Sequence, residues 1–493
     1  MTPNLFAYAA LILFVPLSAL AFFCLRPATA VATVLIGAAL FLPERVAFDA
    51  PLIPPMDKVT ISGLCALMGV LVSSGSRVFR ARPDRYLALL LGFLLIANIF
   101  TTLTNQDALT YGSTFIKGLD MHDALSDTVR VTLSTVIPFL LGFLLFRTRR
   151  DLVSLMQVMV IFGMIYVPFV LIELRLSPQF HRWLYGFHQH EFQQTIRDGG
   201  YRPMVFMEHG LALAGFLFAS LVAATTLARL RVAVCGVHAA ICAVVLGATL
   251  LACKSMAAVV YALTAIPILL LGRMRAQARV AALLACVVLA YPALRSADLF
   301  PTRLLVDLSA RVAQDRAASL EQRFENEDML ARKAGQRPLF GWGGFSRNRV
   351  YDAKGNDVSV TDGAWIGIYG SGGAAGFICI FGLLTIPVFR AGRAMRRAEA
   401  GPDRLLLAAL SLLVAFIGID LLPNGLFSAL PLFLAGALGG AASGLVHATN
   451  SSAGTRMPAA TKLSRSLIGR QPSRRLALEQ SKKAAAVRPS HAR

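Results

Sequence analysis

The chain has 493 residues, of which 56% are hydrophobic and only 15% are charged, and its formal net charge is +21. Soluble domains carry about 25% charged residues, so this composition excludes an ordinary water-soluble enzyme. A disordered protein is excluded as well, because such chains are poor in apolar residues. The composition is typical of a protein that crosses a membrane several times.

Apolar stretches occur along the whole chain, and a spanning helix needs about 20 such residues. We identify thirteen candidate spans; twelve is the alternative count, because the second and the tenth are short. The candidates are 5–25, 28–43, 59–76, 86–103, 131–146, 152–173, 210–228, 232–252, 255–272, 280–294, 364–389, 405–421 and 425–447. The prediction is an all-α polytopic membrane protein with 12–13 transmembrane helices and a large periplasmic loop.

The connections between the spans alternate in charge. Arginine-rich connections, such as 77–85 and 390–404, alternate with connections that are mixed or acidic, such as 104–127. Because arginine-rich connections remain in the cytoplasm, thirteen spans place the N-terminus outside and the C-terminus inside.

Residues 1–449 form the predicted transmembrane domain, with two long outer segments at 174–209 and 295–363. Apolar residues at roughly helical spacing over 301–334 predict an amphipathic helix or a helix pair on the outer surface. The segment 450–493 contains ten Lys or Arg and one Glu. We interpret it as a basic, disordered cytoplasmic tail attracted to anionic membrane lipids. Nucleic acid is not an expected partner, because no structured or aromatic element accompanies the charges.

Ionisable residues cluster on the outer segments, where the positive-inside rule does not account for them. The clusters are Arg197, Arg202, Glu208 and His209; Lys254 and Ser255; Arg311, Arg316, Arg323, Arg347 and Arg349; and Asp362 with Trp365. Arginine presents a planar fork that matches phosphate oxygens, so several arginines around one cavity would bind a pyrophosphate.

Each of these residues also has a structural interpretation. An arginine at a membrane interface can be an anchor for lipid headgroups, and His209 can be an interfacial core residue. Asp362 suits the N-cap of the following helix, and tryptophans are common at membrane interfaces. No nucleotide-binding glycine loop or paired-histidine zinc motif is present, so the sequence supports neither coupling to ATP nor a strong metal cluster, and no cofactor is predicted.

Two further motifs follow Arg323. The first is Pro338-Leu339-Phe340-Gly341-Trp342-Gly343-Gly344-Phe345, and the second is Gly373-Ala374-Ala375-Gly376, which begins eleven residues after Asp362. Together with Arg202 and Lys254-Ser255, these motifs resemble the bacterial O-antigen ligase and O-antigen polymerase superfamily over about 195–390. The chain departs from the family pattern in two places: Asp362 stands where the family has a histidine, and Lys254 stands where many members have an arginine.

The resemblance implies a metal-independent glycosyltransferase of the bacterial inner membrane, with its active site facing the periplasm. The donor would be a glycan on undecaprenyl pyrophosphate, and the acceptor a hydroxyl of another glycan or of lipid A-core. The products of such enzymes are surface polysaccharides such as lipopolysaccharide or exopolysaccharide. The large loop would act as a mobile lid.

Roles for the site residues follow from their chemistry. Asp362 is the predicted general base. The cations Arg202 and Arg323 would stabilise the departing pyrophosphate. The predicted substrate-binding residues are Lys254, His209, Arg347, Arg349, Trp342 and Trp365, the two tryptophans by stacking on sugar rings.

Two other classes of function remain open. A transporter or flippase of lipid-linked glycans shares the hydropathy and the basic composition, but it would place ionisable groups near the bilayer centre. The predicted spans carry almost no charge except near their ends, which favours the enzyme. A noncatalytic scaffold would tolerate substitution of the outer Arg and Asp residues.

Overall fold

The computed structural model describes residues 2–50, 53–75, 78, 83–197, 199–311, 314–397 and 401–454. Helices dominate these residues and confirm the all-α prediction. They are α1 (Leu5–Cys24), α2 (Pro27–Phe41), α3 (Lys58–Ser74), α4 (Arg85–Leu103), α5 (Met121–Val131), α6 (Ile137–Leu145), α7 (Arg149–Leu176), α8 (Phe180–Tyr185), α9 (Gly210–Arg229), α10 (Ala239–Ala252), α11 (Met256–Leu271), α12 (Met274–Ser296), α13 (Thr302–Ala310), α14 (Gln314–Ala334), α15 (Ala364–Arg397), α16 (Pro402–Asp420) and α17 (Ala429–Gly454).

Eight of these helices are long and apolar enough to cross a membrane, which makes the chain a multi-pass membrane protein. They are α1, α4, the continuous α5–α6 helix, α7, α9, α12, α15 and α16. Five shorter apolar helices, α2, α3, α10, α11 and α17, coincide with the remaining predicted spans. The eighth span was predicted from 232, but α10 begins at Ala239 because a short hairpin precedes it.

Within the described residues, strands occur only in the connections, as four antiparallel hairpins. They pair β1 (Ala47–Ala50) with β2 (Ile53–Asp57), β3 (Leu109–Tyr111) with β4 (Thr114–Ile116), β5 (Ile196–Arg197) with β6 (Gly200–Tyr201), and β7 (Ala233–Val234) with β8 (Val237–His238).

Polar side chains set the start of several helices. Asp57 accepts hydrogen bonds from the N–H groups at the start of α3, and Asp84 does the same for α4. Asp120 and Thr148 each form a capping box with an aspartate three residues later, at the starts of α5 and α7. These caps satisfy N–H groups that have no partner within the helix, which fixes where each helix begins.

Consecutive connections alternate between two ends of the bundle. We call one of them the loop-rich end; it comprises 42–57, 104–120, 177–209, 297–363 and 421–428. Direct contacts join these segments, such as the hydrogen bond from the Glu44 N–H to Nε2 of His181 (3.2 Å). Another runs from the Ala364 N–H to the Leu421 carbonyl (3.0 Å).

The opposite end, which we call the arginine-rich end, comprises 25–26, 146–148, 230–238 and 272–273 with the neighbouring helix termini. Ion pairs cross it, including Arg149 Nε with Asp403 Oδ1 (2.6 Å) and Arg26 Nη1 with Asp151 Oδ1 (3.6 Å).

The predicted surface helix over 301–334 is a helix pair, α13 and α14, at the loop-rich end. The chain divides into a unit Met1–Thr449 and a segment Asn450–Arg493. Helix α17 extends through Gly454, into the segment that was predicted to be disordered. The rest of that tail, 455–493, lies outside the described residues.

Helix α15 is interrupted at Gly373, within a predicted span. Gly373 has φ 63° and ψ −162°, a backbone conformation that is essentially restricted to glycine. Such an interruption leaves backbone N–H and C=O groups without partners inside the helix. Membrane lipid offers no hydrogen bonds to replace them, so other parts of the protein must do so.

The loop Pro338–Gly344 provides these partners through four backbone hydrogen bonds. Written with the donor first, they are Trp342 to Gly370 (2.9 Å), Gly343 to Ser371 (2.8 Å), Ala374 to Pro338 (2.8 Å) and Ala375 to Leu339 (3.0 Å). The two glycine-containing motifs of the sequence therefore contact each other, and the large outer segment is anchored inside the bundle.

We expect Gly373→Ala to destabilise the protein by about 2 kcal/mol or more, because alanine resists this backbone conformation. Its Cβ would also overlap the carbonyl group of Leu339. Thermal unfolding of the purified protein in detergent measures the effect. Gly372→Ala is the matched control, because nothing lies within 4 Å of a Cβ at that position. Equal stability of the two variants would contradict this account of the helix interruption.

Candidate functional site

The connection between α16 and α17, residues 421–428, lies at the centre of the loop-rich end; we call it the central connection. Its Leu421 and Asn424 carbonyls accept hydrogen bonds from the Ala364 N–H (3.0 and 3.1 Å). Different parts of the central connection line four separate cavities. It is therefore the element around which the outer residues are arranged.

Asp362 and Arg323, two of the predicted catalytic residues, share one of these cavities. We call it the Asp362 cleft; Pro423 and α14 also line it, and its volume is about 40 Å³. Arg323 Nη1 donates to the Pro423 carbonyl (3.3 Å), which holds the arginine beside the central connection. Burial raises the pKa of the Asp362 carboxyl above its usual value, and the positive charge of Arg323 partly offsets this rise. Such a volume accommodates a water or a hydroxyl group, but not a sugar ring.

Glu327 lines the same cleft and was not identified from the sequence. Its carboxylate accepts a hydrogen bond from the Tyr291 hydroxyl (3.1 Å) and lies 3.6 Å from Nε of Arg295. Burial raises the pKa of the Glu327 carboxyl to about 7, although Arg295 partly offsets the rise. The sequence of α14 predicts an amphipathic helix, so a glutamate there is expected to lie on its solvent-exposed face. The only clue in the sequence is that Glu327 follows Arg323 by four residues, on the same side of α14.

We expect Glu327 to make stability depend on pH. Between pH 4.5, its ordinary pKa, and about pH 7, Glu327 is ionised in the unfolded chain but stays protonated in the folded protein. The folded state therefore loses stability as the pH rises through this interval. Glu327→Gln should remove this loss. Across that pH interval, the free energy of unfolding of the variant should therefore rise relative to that of the original protein by on the order of 2 kcal/mol, and its relative Tm should rise with it.

The measurement is thermal unfolding in detergent at a series of pH values. Glu325→Gln is the matched control, because Glu325 is an exposed carboxylate on the same helix. A parallel pH profile for Glu327→Gln and the original protein would contradict the assignment.

Arg202 and Lys254 form a second cluster, at the start of α11. The Arg202 N–H donates to the Thr195 carbonyl (2.7 Å), and its Nη2 donates to the Lys254 carbonyl (3.2 Å). Arg202 is buried, and Lys254 adopts a positive φ of 54°, which is uncommon for a residue with a side chain. A Cβ on Gly200 would lie 2.6 Å from the Lys254 ammonium, so the lysine reaches across the β5–β6 hairpin. Arg202 thus holds Lys254 in place.

The two clusters are not joined in one cavity in the way that the sequence predicted. Neither Arg202 nor Lys254 lines the Asp362 cleft. Ser255 and Leu421 line a neighbouring apolar cavity of about 100 Å³, which brings the second cluster to the other side of the central connection. The central connection therefore separates the two groups of cations.

His209 has a structural role in this arrangement. Its Nδ1 accepts a hydrogen bond from the Leu211 N–H (3.1 Å) and so caps α9. Its ring also packs edge-on against the ring of His190, with centroids 4.8 Å apart.

The predicted role of Arg347 in substrate binding is corrected by the structure. Arg347 is fully buried, and its guanidinium donates to the Trp342 carbonyl (3.2 Å), the Lys117 carbonyl (2.9 Å) and Asp107 (3.4 Å). Since protein groups occupy these donors, Arg347 fixes the 104–120 connection to the large outer segment.

The predicted stacking of both tryptophans on sugars is corrected as well. Trp342 is buried beneath the cations Lys333 and Arg337, which lie 3.6 and 4.2 Å from the centre of its ring system. Trp365 is only 1% exposed and packs edge-on against Tyr291. Neither ring presents a face to a ligand, because the faces are covered by protein.

Arg349 lies farther along the large outer segment. Its Nη1 donates to the Ser359 carbonyl (3.2 Å), and its Nε lies 3.9 Å from Asp357. The guanidinium is partly exposed, but it does not line the Asp362 cleft.

Two larger cavities adjoin the central connection, and both are lined by Asp57, Phe427 and Ser428. Their volumes are about 410 and 550 Å³, within the range of small-molecule sites. The first is lined by the interrupted part of α15 and by a π-helical turn at Thr132–Val136, between α5 and α6. Irregular turns of this kind are frequent at functional sites.

Charged groups line these two cavities, and Glu208 is the only one of them that the sequence analysis singled out. They are Asp57, Asp127 and Arg130 in the first cavity, and Glu44, Arg45, Asp49, Asp57, Lys58 and Glu208 in the second. Glu44 and Lys58 form an ion pair, and burial raises the pKa of the Glu44 carboxyl in spite of it. The sequence did contain a signal for these groups: the outer connection carries two adjacent pairs of an acidic and a basic residue, Glu44-Arg45 and Asp57-Lys58.

Asp120, His122 and Asp123 lie close enough together to hold a metal ion. Their carboxylates are already engaged, because Asp120 and Asp123 form the capping box of α5 and both lie 3.4 Å from the Lys117 ammonium. Capping of α5 therefore accounts for the close approach of these side chains, and no metal is needed to explain it.

Comparisons with protein-family models and with curated proteins found no match for this chain. The resemblance to the O-antigen ligase and polymerase superfamily therefore stays a prediction from the sequence motifs.

Proposed function

We propose that the protein is a glycosyltransferase of the bacterial inner membrane that transfers a glycan from undecaprenyl pyrophosphate to a hydroxyl of an acceptor glycan. One observation carries the proposal. The carboxylate of Asp362 and the guanidinium of Arg323, which lie 39 positions apart in the chain, line the same cleft at the loop-rich end.

The proposed step needs a base and a cation at one place. An acceptor hydroxyl attacks the anomeric carbon, the bond from that carbon to the pyrophosphate oxygen breaks, and lipid pyrophosphate leaves with the bonding electrons. Asp362 takes the hydroxyl proton, and its raised pKa makes it a better base than an exposed aspartate. Arg323 stabilises the negative charge that grows on the leaving group.

The sizes of the cavities suggest where the larger groups lie. The Asp362 cleft admits a hydroxyl, so the remainder of the glycan belongs in the two larger cavities on the other side of the central connection. Their mixture of charges and hydroxyls, including Ser134 and Thr135, suits a polyhydroxylated ligand. Helix α14 covers the cleft, and we propose that its displacement admits the acceptor.

Arg202 and Lys254 do not line the Asp362 cleft, so we assign Lys254, positioned by Arg202, to the lipid-carrier side of the donor and not to the leaving oxygen. The apolar cavity beside Ser255, between α9, α11 and α16, suits the first isoprene units of a lipid carrier. The loop-rich end then faces the periplasm, which agrees with the excess of arginine at the opposite end.

We expect Asp362→Asn and Arg323→Gln each to lower glycan transfer at least about a hundredfold, because each removes a group that acts only in the transition state. The assay is surface polysaccharide in a deletion strain that expresses each variant, with the amount of membrane-inserted protein measured alongside. Asp307→Asn and Arg332→Gln are matched controls, because they change exposed residues on the same helix pair.

Normal polysaccharide in both site variants would overturn the proposal. The side on which lipid-linked glycan accumulates tests the class of function. Accumulation on the periplasmic side supports a transferase, whereas accumulation on the cytoplasmic side indicates a flippase. A single repeat unit on the lipid core indicates a lost polymerase, and polymer left on the lipid carrier indicates a lost ligase.

A further inference from the structure

A basic groove lies at the arginine-rich end, away from the proposed active site. Its volume is about 590 Å³, and it runs between the start of α12 and the end of α15. Four arginines line it, with apolar and small residues between them. The lining is Arg275, Ala278, Arg279, Ala282, Phe389, Gly392, Arg393, Met395 and Arg396.

The spacing of the arginines turns them toward the groove. Arg275 and Arg279 are four residues apart on α12, and Arg393 and Arg396 are three residues apart on α15. Residues at these spacings share one face of a helix, so each helix contributes a pair. Four positive charges around one cavity repel each other, and an anion between them would relieve that repulsion.

Some arginines at the same end have partners, whereas the four groove arginines have none within the part of the chain that the structure describes. Arg26 pairs with Asp151, Arg149 pairs with Asp403, and Arg390 pairs with Asp84. Arg229 donates to the Leu269 carbonyl. The four groove arginines are exposed and form no ion pair or side-chain hydrogen bond with described residues. Positive charges that only orient the protein in the membrane need not lie around one cavity, so orientation alone does not explain the groove.

We propose that this groove binds an anionic phospholipid that carries two phosphates, as diphosphatidylglycerol does. Each arginine pair matches one phosphate, because a guanidinium fork binds phosphate oxygens in bidentate fashion. Ala278 lies between the two α12 arginines, and Ala282 and Phe389 lie about one turn farther into the two spanning helices than Arg279 and Arg393, toward the region of the acyl chains. Basic pockets between spanning helices recognise such headgroups, and a soluble phosphate would have no use for these apolar residues.

The test is binding of diphosphatidylglycerol to the purified full-length protein, freed of lipid and returned to phosphatidylcholine nanodiscs, followed by native mass spectrometry. The groove variant changes Arg275, Arg279, Arg393 and Arg396 to Gln. The matched control changes Arg150, Arg231, Arg273 and Arg397 to Gln, since these exposed arginines lie at the same end but do not line the groove. Both variants therefore lose the same charge.

We expect the groove variant to bind the lipid at least about tenfold more weakly, and the control variant to bind as the original protein does. Equal losses in both variants would mean that diffuse positive charge attracts the lipid, which overturns the site. Unchanged binding in the groove variant would overturn it too. A parallel arm uses inorganic pyrophosphate in place of lipid. Groove-dependent binding of pyrophosphate without binding of the lipid would overturn the assignment to a phospholipid.

The glycan-transfer assay separates this inference from the proposed function. None of the groove residues lies in the Asp362 cleft or in the two larger cavities, so lipid binding is read out independently of transfer.

Discussion

The architecture of the loop-rich end depends on the hydrogen bonds that replace the missing turn at Gly373. A helix inside a membrane has no water to satisfy an interrupted backbone. Here the loop Pro338–Gly344 takes over those bonds, so the large outer segment is tied to the bundle at its core and not only at its ends. That anchorage ties the segment that follows α14 to α15, and Arg323 of α14 lines the cleft beside Asp362.

Other side-chain contacts at the loop-rich end connect the outer segments to one another. Arg337 and Arg347 both contact Asp107, which joins the 104–120 connection to residues on both sides of the anchoring loop. On the other side, His181 accepts the Glu44 N–H, and burial lowers the pKa of that histidine to about 4. A neutral His181 can accept this bond at physiological pH. The charged residues of the outer segments thus divide into those that assemble the end of the bundle and those that line its cavities.

The two ends of the bundle use arginine differently. At the loop-rich end, several arginines are held by carbonyls and carboxylates, and only some reach a cavity. At the arginine-rich end, Arg26, Arg149 and Arg390 have carboxylate partners, but four other arginines converge on a groove with none among the described residues. An excess of positive charge in the sequence therefore conceals three different roles: orientation in the membrane, assembly of connections and binding of anions.

By itself, the sequence determined the all-α polytopic class, the positions of the spans, the alternation of the connections and the helical character of 301–334, whereas the division of that stretch into two helices came from the structure. These features follow from local apolar runs and from charge, which act over a single helix or connection. Only the tertiary structure decided that Arg323 and Asp362 line one cleft and that Trp342, Trp365 and Arg347 are buried. It alone decided the charged cavities around Glu44, Lys58 and Asp127 as well. Those arrangements depend on which distant segments meet at one end of the bundle. In the sequence, a side chain within a polar segment is expected to be exposed. Whether it is buried in the folded protein depends on which distant segment packs over it.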